Sequence, residues 1–271
     1  MATVEALIRT RNEEEHIAAC IENARTFCDR ITVLDQHSTD RTVEIARAQP
    51  DVRVELTDES CHINRALGYG VERSEADWIL CLDADMRLTP PLTAAFREII
   101  DGDEVDAVDC RVKSRFFGRW IEHGNLYRPH YRKLYRRRTT RQSKVRHHHF
   151  FDPLPLERVR VLRDRNLFFL HYAYDDVSEF VHNVFCVYAR NEGREFYEAG
   201  ERSSVLKMLW RPARRFLIDY LWRGGWKDGP QGLMVYGLYA CYEFVRWASC
   251  YAYGRRQAAG EPPSEASSSL K

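Results

Sequence analysis

Trp78-Ile79-Leu80-Cys81-Leu82 is an uninterrupted apolar run, cut off abruptly by Asp83-Ala84-Asp85. A strand with one face in water alternates apolar and polar residues. One that is apolar at every position must be covered on both faces, as a central strand of a parallel sheet is. The rest of the first hundred residues fits that demand, with short β-branched runs alternating with helical patterns. Val4–Ile8 reads as the first strand. Asn12 is then expected to cap a helix, with Glu15 as its capping-box partner and Ile17, Cys20, Ile21 and Ala24 as the buried stripe. Ile31–Leu34 is a second strand ending at Asp35, followed by the polar turn Gln36-His37-Ser38-Thr39-Asp40 and a helix through Ala48, with Pro50 just beyond. Val52–Leu56 is a third strand, and a helix containing Ala66 and Leu67 follows. Thr89 and Pro90 start a helix that runs to Ile100, and Val105–Val112 resumes as a strand. The expected class is α/β: a Rossmann-like, mostly parallel sheet flanked by helices.

From Arg111 the pattern changes. Strand candidates shorten to Lys133–Tyr135 and Leu167–His171, and Arg, His and aromatic residues dominate. From Val177 the reading is helical, over Val177–Asn191, about Leu206–Leu221 and Leu233–Tyr253. The tail Arg255–Lys271, rich in Gly, Pro, Ser and Ala, is expected to be disordered. The division is a first half over 1–112, a continuation of the same domain over 113–175, a helical, basic-aromatic C-terminal subdomain over 176–254, and the tail at 255–271.

A net charge of +1 hides an asymmetry. Residues 1–110 hold 11 Arg and 24 Asp or Glu, a net of −13, whereas residues 111–271 hold 30 Lys or Arg and 16 Asp or Glu, a net of +14. Two halves that attract each other would explain this. So would an acidic, metal-using half joined to a basic half that faces an anion or a membrane. The eight cysteines show no CxxC pair, which argues against a disulfide framework or zinc site and for a reducing, cytoplasmic setting. Residues 1–20 hold two Arg and four Glu and do not read as a secretory leader. The best membrane-span candidate, Gly232 to Tyr253, is broken by Glu243 and Arg246.

Asp83 and Asp85 carry the strongest chemical signal. Ligands of open parallel sheets bind at the carboxyl ends of the strands, and two carboxylates there can share a hard divalent cation with a phosphate. The same residues also fit a polar turn with two exposed Asp. Thr10-Arg11-Asn12-Glu13 after the first strand, and Asp35 with Ser38-Thr39-Asp40 after the second, fall on the same edge. Capping and turn chemistry accounts for Asn12 and Ser38, but not for so many carboxylates on one edge, which repel unless something positive binds. His171, at the end of an apolar strand, fits either a satisfied core histidine or a metal ligand. Trp210, Arg211, Arg214, Arg215, Phe216, Trp222, Arg223, Trp226 and Lys227 interleave cations and rings, as suits a lipid interface or a subdomain packed on the core through snorkelling Arg stems. No nucleic-acid recognition motif is present, and the acidic half argues against such a partner.

The runs L-I-R-T-R-N-E-E, T-V-L-D-Q-H-S-T-D-R-T-V-E-I-A and D-W-I-L-C-L-D-A-D, in this order over residues 3–100, resemble family-2 glycosyltransferases, inverting enzymes of the GT-A fold. The remainder is similar to the branch that includes lipopolysaccharide-core glucosyltransferases, through Phe117-Gly118-Arg119-Trp120-Ile121, Arg132–Arg137, Leu170-His171-Tyr172 and the run from Arg215 to Leu233. The resemblance implies a nucleoside-diphosphate sugar donor, a glycan or lipid-linked acceptor, and Mn²⁺ or Mg²⁺ as cofactor. It makes 1–112 the nucleotide-sugar-binding half and 113–175 the acceptor side. It implies that Thr10, Asn12, Glu13, Asp35, Asp40 and Asp83 line the donor pocket, and that Asp83, Asp85 and His171 hold the metal, Asp85 foremost. Gln36 and His37 stand where relatives carry Ser and Gly, and Met86 where they often carry Glu. Relatives place a His-Glu pair near Arg146-His147-His148-His149-Phe150, but no Glu follows here. Asp152, Glu122 and His148 therefore stay open as alternatives for the base that deprotonates the acceptor. The implied placement is cytoplasmic and peripheral on the inner face of an anionic membrane. A catalytically silent nucleotide-sugar-binding relative is the alternative of another class. A sugar nucleotidyltransferase is disfavoured, since residues 1–67 contain no glycine for a phosphate loop.

Overall fold

The computed structural model describes residues 2–57, 63–102, 105–126, 130–142, 151–153 and 158–260. The chain divides into two compact units, residues 1–114 with 128–173, and residues 115–127 with 174–271.

The first unit is built on strands β1 (Val4–Thr10), β2 (Arg30–Asp35), β3 (Val52–Leu56) and β4 (Trp78–Asp83), which are mutually parallel in the order β3-β2-β1-β4. Helices α1 (Ile17–Arg25), α2 (Thr42–Arg47) and α3 (Ile63–Arg73) connect them. A three-residue strand, β5 (Met86–Leu88), then leads to α4 (Pro90–Asp101). Beyond it come β6 (Ala107–Phe116), the short β7 (Arg119–Trp120) and β8 (His130–Arg136). The sheet continues past β4 as β8, β6, a strand over Phe168–Tyr174 and then β5, with β8 antiparallel to both β4 and β6. Two small strands, β9 (Thr140–Gln142) and β10 (Phe151–Pro153), pair with each other, β11 (Val159–Val161) runs parallel to β6, and β12 is Phe168–Tyr174.

Both faces of the central strands are covered, as the apolar run requires. Val4, Ala6, Ile8, Trp78, Leu80 and Leu82 pack with Ile17, Cys20 and Ile21 of α1 and Leu92, Phe96 and Ile99 of α4. Leu7, Leu34, Ile79 and Cys81 pack on the other face with Ala66, Leu67 and Val71 of α3. Gly70 lets α3 come this close, because a Cβ there would sit 2.9 Å from methyls of both Leu7 and Leu34. Glu5, buried within β1, accepts the hydroxyls of Thr32 and Ser74, so its charge is hydrogen-bonded rather than stranded.

The second unit is helical. Asp176 caps α5 (Val177–Phe180) by accepting the N–H groups of Ser178 and Glu179. A π-helical stretch, Val181–Ala189, carries the rod into α6 (Arg190–Glu198). Next come α7 (Val205–Phe216), a second π-helical stretch (Leu217–Trp222) and α8 (Gly229–Ala258), whose 30 residues extend roughly 45 Å. Wide turns of this kind leave a local bulge that period-3.6 reading does not anticipate. Phe180 is buried among the rings of Phe116, Tyr174 and Tyr239. A charged network ties α8 inward. Glu243 accepts from Trp247 Nε1 at 3.0 Å, Arg215 at 3.2 Å and Arg246 at 2.5 Å, and Arg246 also reaches Glu192 at 2.9 Å. Burial alone would raise the Glu243 pKa, but the bond and charge of Arg246 hold it below its ordinary value. Those apolar and charged contacts explain why a helix carrying Glu243 and Arg246 is stable here. No helix of the described residues is long and apolar enough to cross a membrane.

Candidate active site

Strand register makes the carboxyl ends of β1, β2 and β4 level, with Thr10 opposite Asp35 and Arg9 opposite Asp83. Three loops therefore open on one edge of the sheet, where open α/β sheets take their ligands.

The first two loops are stitched together. Asp35 is fully buried and accepts the Ser38 N–H at 2.9 Å along with the Ser38 hydroxyl, which folds the loop back on the end of β2. His37 (φ 55°) and Asn12 (φ 54°) both take the left-handed conformation. The expected capping box does not form. Helix α1 begins at Ile17, with no side-chain cap at His16, and Asn12 works across the loops instead. Its Oδ1 accepts the Thr39 N–H at 2.8 Å, and its own N–H donates to Ser38 Oγ at 2.8 Å. An Asn amide in the left-handed region can satisfy a neighbouring loop as readily as a helix end. The Glu13 N–H donates to Thr42 Oγ1 at 2.7 Å, and the Glu14 N–H to Asp40 Oδ2 at 3.1 Å. Burial would raise the Asp40 pKa, but bonds from the Thr42 hydroxyl, the Thr42 N–H and the Glu14 N–H lower it below the ordinary carboxylate value.

The two carboxylates of the third loop have different fates. Asp83 lies between Arg9, which contacts Oδ1, and Lys133, whose Nζ is 2.9 Å from Oδ2. Burial pushes its pKa up, but the attraction of Arg9 and Lys133 outweighs that and holds it far below the ordinary range. Asp85 faces His171 instead, with Oδ2 3.0 Å from Nε2, while Nδ1 of the ring lies 3.0 Å from Ser114 Oγ. Burial would lower the His171 pKa, and the Asp85 charge overrides it and raises the imidazole above its usual value. The short β5 produces this meeting by pairing antiparallel with β12, so that Met86 lies opposite His171 and the Tyr172 N–H donates to the Asp85 carbonyl at 2.9 Å. Arg87 straps the loop from below, donating to the carbonyls of Ala84 at 2.7 Å, Met86 at 2.8 Å and His16 at 2.8 Å.

Two polar atoms at this edge, Thr10 Oγ1 and Asp85 Oδ1, are buried with no hydrogen-bond partner. Buried polar atoms are seldom left so, and these two share the edge on which the three loops open. Among the described residues, no group of three or more His, Cys, Asp and Glu side chains is arranged to hold a metal. Asp85 has one carboxylate oxygen unmet, and His171 Nε2 beside it would join it around a small divalent ion only as the neutral imidazole, released from Asp85.

Of the residues singled out in the sequence, Thr10, Asn12, Glu13, Asp35, Asp40, Asp83, Asp85 and His171 all belong to the first unit. Glu122 belongs to the second unit, where its N–H donates to Asp228 at 3.2 Å. Asp152 has its backbone in β10 opposite Arg141, with its side chain outside the described residues, and His148 lies outside them altogether. Arg9, Lys133, Arg87 and Ser114 escaped sequence reading. Arg9 alone left a signal, as the one cation in a strand whose buried positions are mostly apolar.

An uncharacterized glycosyltransferase of Rickettsia typhi is 33% identical over 98 residues, which make up 34% of this chain and 31% of that protein. The prophage-derived glycosyltransferase SunS of Bacillus subtilis is 27% identical over 111 residues, covering 41% of this chain and 26% of that protein. The match thus spans about a third or less of these curated relatives. In structure, S. aureus TarS 1–349 in complex with UDP-GlcNAc superposes with a TM-score of 0.51 at 15% identity, covering 96% of this chain and 92% of TarS, a likeness of fold that marks the chain as GT-A. The family model described as glycosyl transferase family 2 matches residues 6–164, more than half of the chain, and to that family this chain belongs.

Proposed function

We propose that the chain transfers a hexosyl group from a nucleoside-diphosphate sugar to a hydroxyl of a glycan or lipid-linked acceptor, with inversion at the anomeric carbon. The observation that carries this reading is the pair of unmet buried atoms, Thr10 Oγ1 and Asp85 Oδ1, on one edge of the sheet in a family-2 glycosyltransferase. Thr10, Asn12, Glu13, Asp35 and Asp40 would form the nucleoside side of the donor pocket. Asp83, held ionised by Arg9 and Lys133, keeps second lone pairs on its oxygens for a sugar or ribose hydroxyl. Asp85 and His171 would hold Mn²⁺ or Mg²⁺, which when bound offsets the negative charge growing on the departing diphosphate.

In the transfer, the acceptor oxygen bonds to the anomeric carbon as the bond from that carbon to the diphosphate oxygen breaks. The hydroxyl proton passes to a base, and the nucleoside diphosphate leaves. Asp152, Glu122 and His148 are the alternatives for that base. The similarity of Phe117–Ile121 and of the run from Arg215 to lipopolysaccharide-core glucosyltransferases supports an envelope glycan as acceptor and an anionic membrane as the place where it is met.

Thermal denaturation with UDP-, GDP- and dTDP-sugars, each with and without Mn²⁺, tests the donor site. At about 100-fold saturation one nucleotide should add roughly 2.7 kcal/mol, and only with the metal. No shift with any of them would overturn the reading.

A further inference from the structure

Helix α7 is turned inside out. A surface helix normally buries its apolar stripe and offers its charges to water. In α7 no residue is buried. Its cationic side faces the rest of the helical unit: Lys207 and Arg211 lie over the Trp247 ring at 5.0 and 5.3 Å, and Arg215 donates to Glu243. The opposite side carries Leu206, Leu209 and Trp210 at helical spacing, and the π-helical continuation adds Leu217, Leu221 and Trp222, all exposed. Leu206 is 76% and Trp222 87% accessible. Contiguous apolar surface of this kind marks a partner.

The charges beside the stripe say which partner. From Val205 to Lys227 the chain carries Lys207, Arg211, Arg214, Arg215, Arg223 and Lys227. Lys207 pairs with Glu201 and Arg215 with Glu243, so Arg211, Arg214 and Lys227 are the cations offered to a partner, and the segment holds one acid. That acid, Asp219, is buried and already bound by Arg215 and Arg223. Leu206, Lys207, Trp210, Arg211 and Arg214 also line an open concavity of about 500 Å³, where an apolar wall meets three cations. A protein groove would need its own acids placed against these cations. An anionic bilayer supplies hydrocarbon for the leucines, an interfacial layer for the indoles and phosphates for the exposed Arg211, Arg214 and Lys227 at the margin of the stripe.

We infer that α7 and its continuation to Trp226 form an in-plane membrane anchor, lying in the headgroup layer of an anionic bilayer with the Leu206–Leu209–Trp210 side immersed. The inference deepens the acceptor reading above and rests on it for its purpose, while its evidence is the exposed stripe and its cations.

Flotation of the full chain, without any nucleotide sugar, tests it. Vesicles of roughly one part phosphatidylglycerol to two parts phosphatidylcholine should carry the protein up the gradient, and pure phosphatidylcholine should carry far less. L209S/W210S should reduce partitioning by about ten-fold or more, and Arg214→Glu should reduce it on anionic vesicles alone. Trp222→Ser, at the most exposed position, gives an independent reduction should the double variant misfold. Wild-type protein that stays at the bottom with anionic vesicles, or variants that float as well as wild type, would overturn the anchor. So would a concentration-dependent dimer abolished by L209S/W210S in protein that ignores vesicles, which would assign the face to a second copy. Donor-induced thermal shifts on the same samples separate the two readings: their absence sinks the transferase proposal and leaves the flotation result standing.

Discussion

The sheet edge of the first unit and helix α7 of the second are both incomplete, in opposite ways. At the sheet edge nearly every polar group has its partner: Asp35 has Ser38, Asn12 has Thr39, and Asp83 has Arg9 and Lys133. What stands out are single buried atoms, Thr10 Oγ1 and Asp85 Oδ1, left without one. In the helical unit the buried acids Glu243 and Asp219 are matched by Arg215, Arg223 and Arg246. Among its described residues Ser203 Oγ and Arg246 Nε are the buried atoms without a hydrogen-bond partner, and the larger remainder is apolar area in water. A lone buried polar atom asks for a small, directional ligand. An exposed apolar stripe asks for a broad, non-directional one. The kind of deficit thus identifies the kind of partner before any partner is seen.

The contrast can be broken at its interior. Glu243→Ala would leave Arg246 with Glu192 alone and Arg215 with Asp219 alone, and should cost about 3 kcal/mol in urea denaturation. A loss below about 1 kcal/mol would mean that the helical unit is not held by its buried charges. Next in size is Asp85→Asn. It should erase the Mn²⁺-dependent part of donor stabilisation, roughly 2.7 kcal/mol at hundred-fold saturation, measured against the variant's own unliganded melt, since the Asp85–His171 pair is lost as well. An undiminished shift would show that the unmet oxygen is not the ligand-seeking atom.

Lys133→Met sharpens the difference between the two aspartates. Removing one of two cations from Asp83 should cost about 1.5–3 kcal/mol at neutral pH. The sign with pH follows from the depressed pKa of Asp83. A carboxylate of that kind lends its stability above its unfolded value, near 4, and loses it as pH falls toward the folded one. The gap between wild type and variant should therefore be full at pH 7 and narrow steadily below about pH 4. A gap that widens in acid would refute the pairing. Smallest of all, Trp222→Ser should change stability by less than about 0.5 kcal/mol, since its ring stands in solvent. A larger loss by calorimetry would place that ring in a packed role and remove it from the exposed face.

Much of this was legible from residue order. An apolar run as dense as Trp78–Leu82 has one structural solution, and the loops after β1, β2 and β4 follow from it. Partnerships across distant segments were not legible. Lys133 sits in Tyr131-Arg132-Lys133-Leu134-Tyr135-Arg136, where any of three cations could face inward, and only the register of β8 selects it. Strand β5 is too short to give a period, yet without it His171 would have no route to Asp85. Asn12 misled because capping and loop bridging draw on the same amide, and the choice is settled by Thr39, which lies 27 residues away. The π-helical stretches escaped because an extra residue per turn shifts phase without changing composition. Conversely, the basic-aromatic segment was visible as composition, but which side of α7 faced inward was not.

Pairing Asp83 with Lys133 and Asp85 with His171 also sets a schedule for synthesis. The acids are made first. Their partners follow 50 and 86 residues later. At a translation rate of about 5–20 residues per second, the interval between Asp85 and His171 is roughly 4–17 s. Through that time the β1–β4 layer can form with Arg9 as the cation facing Asp83, while Asp85 stays unmatched. The nascent chain therefore carries the Asp85 carboxylate in an unfinished setting for several seconds, and this sheet edge acquires its final charge balance only when β12 is laid beside β5.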